Sequence, residues 1–185
     1  MNRKIFITLT ASLLVTTFFT SCGVRNGNTK QQTVVNPTTF NEGVVINGVR
    51  WATHNVGRRS RRFARNPESA GGFFTFEEAQ NACPCGWRLP TREELQLLVE
   101  TDRGWITRNG VNGRLFGTTP NDLFLPAAGF RSTDGALNRV GALGDYWSSS
   151  ASDAGNGWHL FFYSSSSGVN DDSRLNGFSV RCVSE

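Results

Sequence analysis

The chain has 185 residues, of which 38% are hydrophobic and 18% charged, and carries a formal net charge of +4. That length admits one sizeable domain with appendages. So mild a positive balance excludes a surface built as a whole for nucleic acid, and attention shifts to where the charge is concentrated.

Arg3 and Lys4 precede an uncharged stretch, residues 5–21, that is too short and too threonine-rich for a comfortable membrane span. Residues 1–21 read as a secretory signal. The segment FFTSC resembles the lipobox of bacterial lipoproteins, which makes Cys22 the lipidated mature amino terminus. Acyl chains there hold the protein at a membrane, each buried methylene contributing about 0.8 kcal/mol. Loss of Arg3 and Lys4 from the 19 basic residues, against 15 acidic ones, leaves a net charge of about +2 on the mature chain. Residues 22–42 are polar and without hydrophobic period, as in a flexible tether. The expected location is the cell envelope, as an outer-membrane lipoprotein facing the periplasm or the surface.

Residues 43–185 are expected to be the folded domain. VVINGVRWAT gives two short β-type runs across Asn47-Gly48, a hairpin signal. GRRSRRFARN then places Arg58, Arg59, Arg61, Arg62 and Arg65 around Phe63. Arginine forks recognise phosphate, sulfate and carboxylate, so these five are candidate ligands for an anionic group or glycan; a solvated loop is the competing reading. Thr75 with Glu78 and Thr91 with Glu94 make two capping boxes, each opening a helix of about ten residues. Leu95, Leu98 and Val99 form the buried stripe of the second helix, and Pro90 separates the two. DLFLPAAGFR, GDYWSSS, GWHLFFYSS and GFSVRCVSE read as strands of a small antiparallel sheet, whereas residues 101–120 and 164–176 read as irregular. In GWHLFFY, alternation sets Trp158, Leu160 and Phe162 on one face and His159, Phe161 and Tyr163 on the other. Trp147, Trp158, Phe161 and Tyr163 are a candidate aromatic platform for a ligand; one face of the strand belongs to the core, and the other is either a partner surface or a second packed layer.

With Cys22 lipidated, Cys83, Cys85 and Cys182 remain, and an exported chain keeps disulfides. Cys83 and Cys85 are a poor pair across the single residue Pro84, so Cys182 is expected to bridge back to one of them. ACPCGWRLPTREELQLL, GDYWSSS and SVRCV, in that order after VVINGVRWATHNVG, resemble the Fibrobacter succinogenes major paralogous domain, a family of exported bacterial domains grouped with the C-type-lectin-like fold. The resemblance implies that Cys83 pairs with Cys182, since the family pattern is Cys-Pro-x-Gly-Trp and Cys85 holds its variable position. It also implies an α+β, C-type-lectin-like architecture: two short helices, a small twisted antiparallel sheet and long loops. Within the motif, Trp87 is expected in the core.

Enzyme signatures are missing: there is no Gly-x-Ser-x-Gly elbow, His-Glu-x-x-His pair, phosphate loop or dinucleotide fingerprint. RLPTREEL is similar to a stretch of formylglycine-generating proteins, but those need a late cysteine pair and only Cys182 is late here. The calcium motifs of sugar-binding C-type lectins do not occur, and NDDSR, residues 170–174, reads as a solvated loop with too few oxygens for calcium. His159 reads as a sheet residue. The expectation is a non-catalytic binding module of the envelope, without metal or cofactor, for an anionic glycan or a protein ligand; the alternative is a structural component of a cell-surface complex.

Overall fold

The computed structural model of the protein describes residues 43–185. The signal expected over residues 1–21, the lipid on Cys22 and the tether over residues 22–42 lie outside the described residues.

The domain opens with β1 (Val44–Ile46) and β2 (Val49–Trp51), joined across Asn47 and Gly48. Their φ angles of 49° and 79° are the two positive values that a type I′ hairpin turn requires. Both capping boxes form. Thr75 starts α1 (Phe76–Ala79) and Thr91 starts α2 (Arg92–Val99), and in each the cap residue's N–H donates to the glutamate Oε2 at 2.8 Å. The helices run 4 and 8 residues rather than about ten. α1 closes early because the Asn81 and Ala82 N–H groups bond back three residues, to the Glu78 and Ala79 carbonyls, which tightens the last turn and ends it. β3 (Trp87–Arg88) separates the two helices.

The second half of the chain overturns the expected α+β, C-type-lectin-like class. Residues 101–120 are not irregular but form β4 (Asp102–Arg108) and β5 (Val111–Thr118), continued by β6 (Asn121–Pro126). The β4–β5 turn is again Asn-Gly, Asn109 and Gly110, with φ of 50° and 78°. β7 (Phe130–Arg131) and β8 (Leu137–Asn138) make a two-stranded ribbon. β9 (Gly144–Ala151), β10 (Asn156–Phe162) and β11 (Ser167–Ser173) form a meander, so residues 164–176 also hold a strand, and β12 (Val183–Ser184) ends the chain. The result is a mostly β protein: twelve strands in four small antiparallel sheets, with two short helices, among the described residues. β4 and β11 escape a reading by hydrophobic period because they are stabilised by ladder and side-chain hydrogen bonds, with polar residues on partly covered faces.

The tail threads into the beginning. β12 lies between β2 and β3, Val183 pairing with both Trp51 and Arg88. Next to it, Cys182 is bonded to Cys83 with a Cα–Cα distance of 6.0 Å, and Cys85 is exposed outside the bridge. Two apolar clusters share the strands between them. Ile46, Trp51, Leu95, Leu98, Phe116 and Phe162 belong to one; Phe74, Phe76, Trp147, Phe178 and Val180 belong to the other. Along β9, Tyr146 enters the first cluster and Trp147 the second, because successive side chains point to opposite faces. Trp87, expected in the core, is half-buried and meets Phe63 edge-on at 5.5 Å.

The bridge spans a sequence separation of 99 residues, which in the chain-entropy model contributes about 4–5 kcal/mol. Cys83→Ser is therefore expected to lower the unfolding free energy by up to that amount in denaturant titration, while Cys85→Ser leaves the bridge intact by mass spectrometry.

Candidate functional site

The meander β9–β11 has one face on the first apolar cluster; its opposite, outward face carries Trp147 into the second cluster and lines a cleft beyond it. In register, His159 pairs with Trp147 and Asn170, and Phe161 pairs with Asp145 and Gly168. The two-residue period then puts Asp145, His159, Phe161, Asn170 and Asp172 on the outward face, while Leu160 and Phe162 point inward and are fully buried. A cleft of about 310 Å³ lies over this face. Tyr163 extends the row of β10, and Phe130, Arg139 and Leu143 reach in from the β7–β8 ribbon and the segment after it. Gly168 clears the space beside Phe161: a Cβ there would sit 3.0 Å from two atoms of that ring.

Two polar side chains form the floor. Asp145 is 4% exposed and His159 5%, and His159 Nε2 lies 3.4 Å from Asp145 Oδ1. The imidazole packs against Phe178, ring centroids 4.8 Å apart, and its Nδ1 has no hydrogen-bond partner among the described residues. Burial pushes the Asp145 carboxyl above its ordinary range; the hydrogen bond and charge of His159 offset part of this, and Asp172 adds to it. At the rim, the Arg139 guanidinium stands 5.9 Å over the Tyr163 ring, and the Phe161 and Tyr163 rings are 6.2 Å apart. No serine, threonine or cysteine lines the cleft.

A second polar cluster fixes the cleft wall. Arg114 is nearly buried and its Nε donates to both oxygens of Asp102 at 2.7 Å, while its Nη1 donates to the Tyr163 carbonyl at 2.6 Å. Asp102 also accepts from the Ser167 hydroxyl and from Gly104 N–H. The β4–β5 hairpin thereby holds both ends of the β10–β11 turn. Burial raises the Asp102 carboxyl, but the hydrogen bonds from Arg114, Ser167 and Gly104 outweigh it and leave the pKa below the ordinary value.

The arginines predicted from sequence lie elsewhere. Arg58, Arg59, Arg61, Arg62 and Arg65 are all exposed on a turn closed by the Val56–Phe63 bridge, and none enters an ion pair among the described residues. Arg58 and Arg65 alone share a hollow, of about 400 Å³, with Asn66 and Ser69. Trp147 is wholly buried and not a surface platform; its Nε1 donates to the Phe74 carbonyl at 2.7 Å. Trp158 is half-buried beneath the Arg92 guanidinium at 3.8 Å, away from the cleft. His159, Phe161 and Tyr163 do share the face that alternation assigned them. NDDSR is strand rather than loop for Asn170–Ser173, and its alternate residues Asn170 and Asp172 reach the cleft. Sequence reasoning missed Asp145 and Arg139 as cleft residues. Asp145 was visible as the one charge inside GDYWSSS, whereas Arg139 comes from a loop that carries no period. Among the described residues no three His, Cys, Asp or Glu side chains are placed to hold a metal ion.

These features define a small disulfide-closed β domain with an aromatic cleft on one sheet. The chain belongs to the Fibrobacter succinogenes major domain family, whose model matches residues 20–184 and so begins well before the boundary at Gly43 expected from sequence. No curated protein and no solved structure matches it.

The two aspartates titrate with opposite sign. Asp102, lowered in the folded state, stabilises above its unfolded pKa, and that contribution is lost as pH falls through the folded value. Asp145, raised in the folded state, stabilises below its unfolded pKa and loses that contribution as pH rises through the folded value. Asp102→Asn is therefore expected to cost about 1–3 kcal/mol at pH 7, with the difference shrinking in acid. Asp145→Asn is expected to be neutral or stabilising at pH 7; unfolding curves from pH 3 to 8 check both.

Proposed function

We propose that the protein is an exported, lipid-anchored, non-catalytic binding module of the bacterial cell envelope, and that its ligand, a glycan or a protein group, docks in the cleft over β9–β11. The observation that carries this reading is the convergence of Phe130, Phe161 and Tyr163 with Asp145, Asn170 and Asp172 in one concavity of ligand size. Apolar walls with a few convergent polar groups are what a binding pocket needs, and a rigid sheet supplies them at fixed spacing. The leader and Cys22 support delivery to a membrane, with residues 22–42 as the spacer that lets the domain reach its ligand.

A second reading places an anionic ligand in the hollow that Arg58 and Arg65 line. Its support is the pair of exposed guanidinium groups converging on one concavity.

Glycan-array profiles of the full chain separate the two. Phe161→Ala with Tyr163→Ala is expected to abolish the signal, while serine at the five arginines leaves it within about twofold, a difference of only tenths of a kcal/mol. The reverse pattern assigns binding to the arginine turn, and a profile unchanged by both sets contradicts the cleft as the site.

A further inference from the structure

Which ligands the cleft admits depends on the charges around it, on the premise that the cleft is the binding site. A cation would sit over the face of Tyr163, but Arg139 already holds that position at 5.9 Å. An anion would meet Asp172 at the rim and Asp145 on the floor, and the floor is dry enough that Asp145 itself is only 4% exposed. What remains is a rim of mixed sign, with a guanidinium that only donates, a carboxylate that accepts, and the Asn170 amide that does both. Such a set is complementary to neutral hydroxyls, each of which donates and accepts.

The walls supply the other half. Phe161 and Tyr163, tilted at 60° to each other with centroids 6.2 Å apart, present ring surface rather than hydrogen-bonding groups. A ligand for this cleft has one face of C–H groups and an edge of hydroxyls. At about 310 Å³ the space is at the small end for ligand pockets, room for one or two small rings and not for an extended chain.

We infer that the cleft is a subsite for an uncharged pyranose, which stacks its C–H face on Phe161 and Tyr163 and shares its hydroxyls among Arg139, Asn170 and Asp172. Asp145 and His159 close the floor beneath it and set its depth. The site discriminates by charge: a carboxylate on the sugar faces Asp172, and an ammonium group faces Arg139.

The test is a titration of the full chain in detergent micelles, followed by NMR of the Phe161, Tyr163 and His159 ring resonances. The probes are methyl glycosides of neutral hexoses, a methyl uronoside and choline. The neutral glycosides are expected to move all three rings, with the uronoside at least tenfold weaker and choline silent. Arg139→Gln, a change confined to an exposed side chain, is expected to weaken the neutral glycosides about tenfold, the loss of one hydrogen bond to a charged group. Cleft shifts with choline or the uronoside and none with neutral glycosides overturn the ligand class but leave the cleft as the binding site. Shifts confined to the arginine turn overturn both, and so does an array-positive glycan that leaves the three rings unmoved. Rings unmoved by every probe overturn the pyranose assignment.

Discussion

A fully buried arginine, without a carboxylate partner among the described residues, governs this fold. Arg181 is 1% exposed, and its guanidinium donates to Asn55 Oδ1 at 2.8 Å, to the Ala52 carbonyl at 3.0 Å and to the Phe124 carbonyl at 3.3 Å. Burial pulls its pKa down to about 10, so it stays charged at neutral pH and needs those oxygens. Asn55 is held in turn by donating to the Ser69 and Ala70 carbonyls and to the Tyr146 hydroxyl, which donates to Pro126. Tyr146, pushed up to about 12 by burial, keeps its proton for that bond. One charge thus ties the segment after β2, the end of β6, β9 and the tail to a common point. Removing one oxygen leaves a cation in a dry interior, and this is the constraint the neighbouring residues satisfy.

Position along the chain explains why so much depends on it. Arg181 directly precedes Cys182, so the carbonyls that orient the guanidinium also present the sulfur to Cys83. Two residues earlier, Ser179 donates its N–H to the Asp145 carbonyl and accepts from Trp147 N–H, and the tail therefore backs the strand that carries the cleft floor. Phe178 lies stacked on Trp147 at 4.2 Å and under the His159 ring. The cleft is built on a sheet whose rear support is the same short segment that holds the disulfide, and the Arg114–Asp102 pair braces its far wall. A binding site needs such backing, since a ring displaced by an ångström no longer stacks.

The parts of this arrangement that were legible in sequence are those written in local chemistry. Asn47-Gly48 specifies its turn by two positive φ angles, and Thr-x-x-Glu specifies a helix start whatever the surroundings. The bridge from Cys182 to the middle of the chain followed from the expectation of export and from the poor geometry of Cys83 with Cys85, and the family pattern selected Cys83. The alternation in GWHLFFY correctly grouped His159, Phe161 and Tyr163. Helix length was not legible, because the early stop of α1 is made by backbone bonds that no side chain announces. Nor was the β class. β4 and β11 carry Asp102, Arg108, Asn170, Asp171 and Asp172, and their strand state comes from pairing with neighbours far from any apolar period. Asn109-Gly110 was the same signal as Asn47-Gly48, hidden by polar flanks. Arg181 was the least visible of all, since an arginine in SVRCV reads as surface until Asn55 is found opposite it.

Chemical denaturation of Asn55→Ala with the disulfide intact addresses the governing role of Arg181 most directly. The variant takes away the best-placed acceptor of a buried cation and little apolar area, so a loss of about 3 kcal/mol in unfolding free energy is predicted, with the bridge still oxidised. A loss below about 0.5 kcal/mol, the range of ordinary surface substitutions, would contradict it.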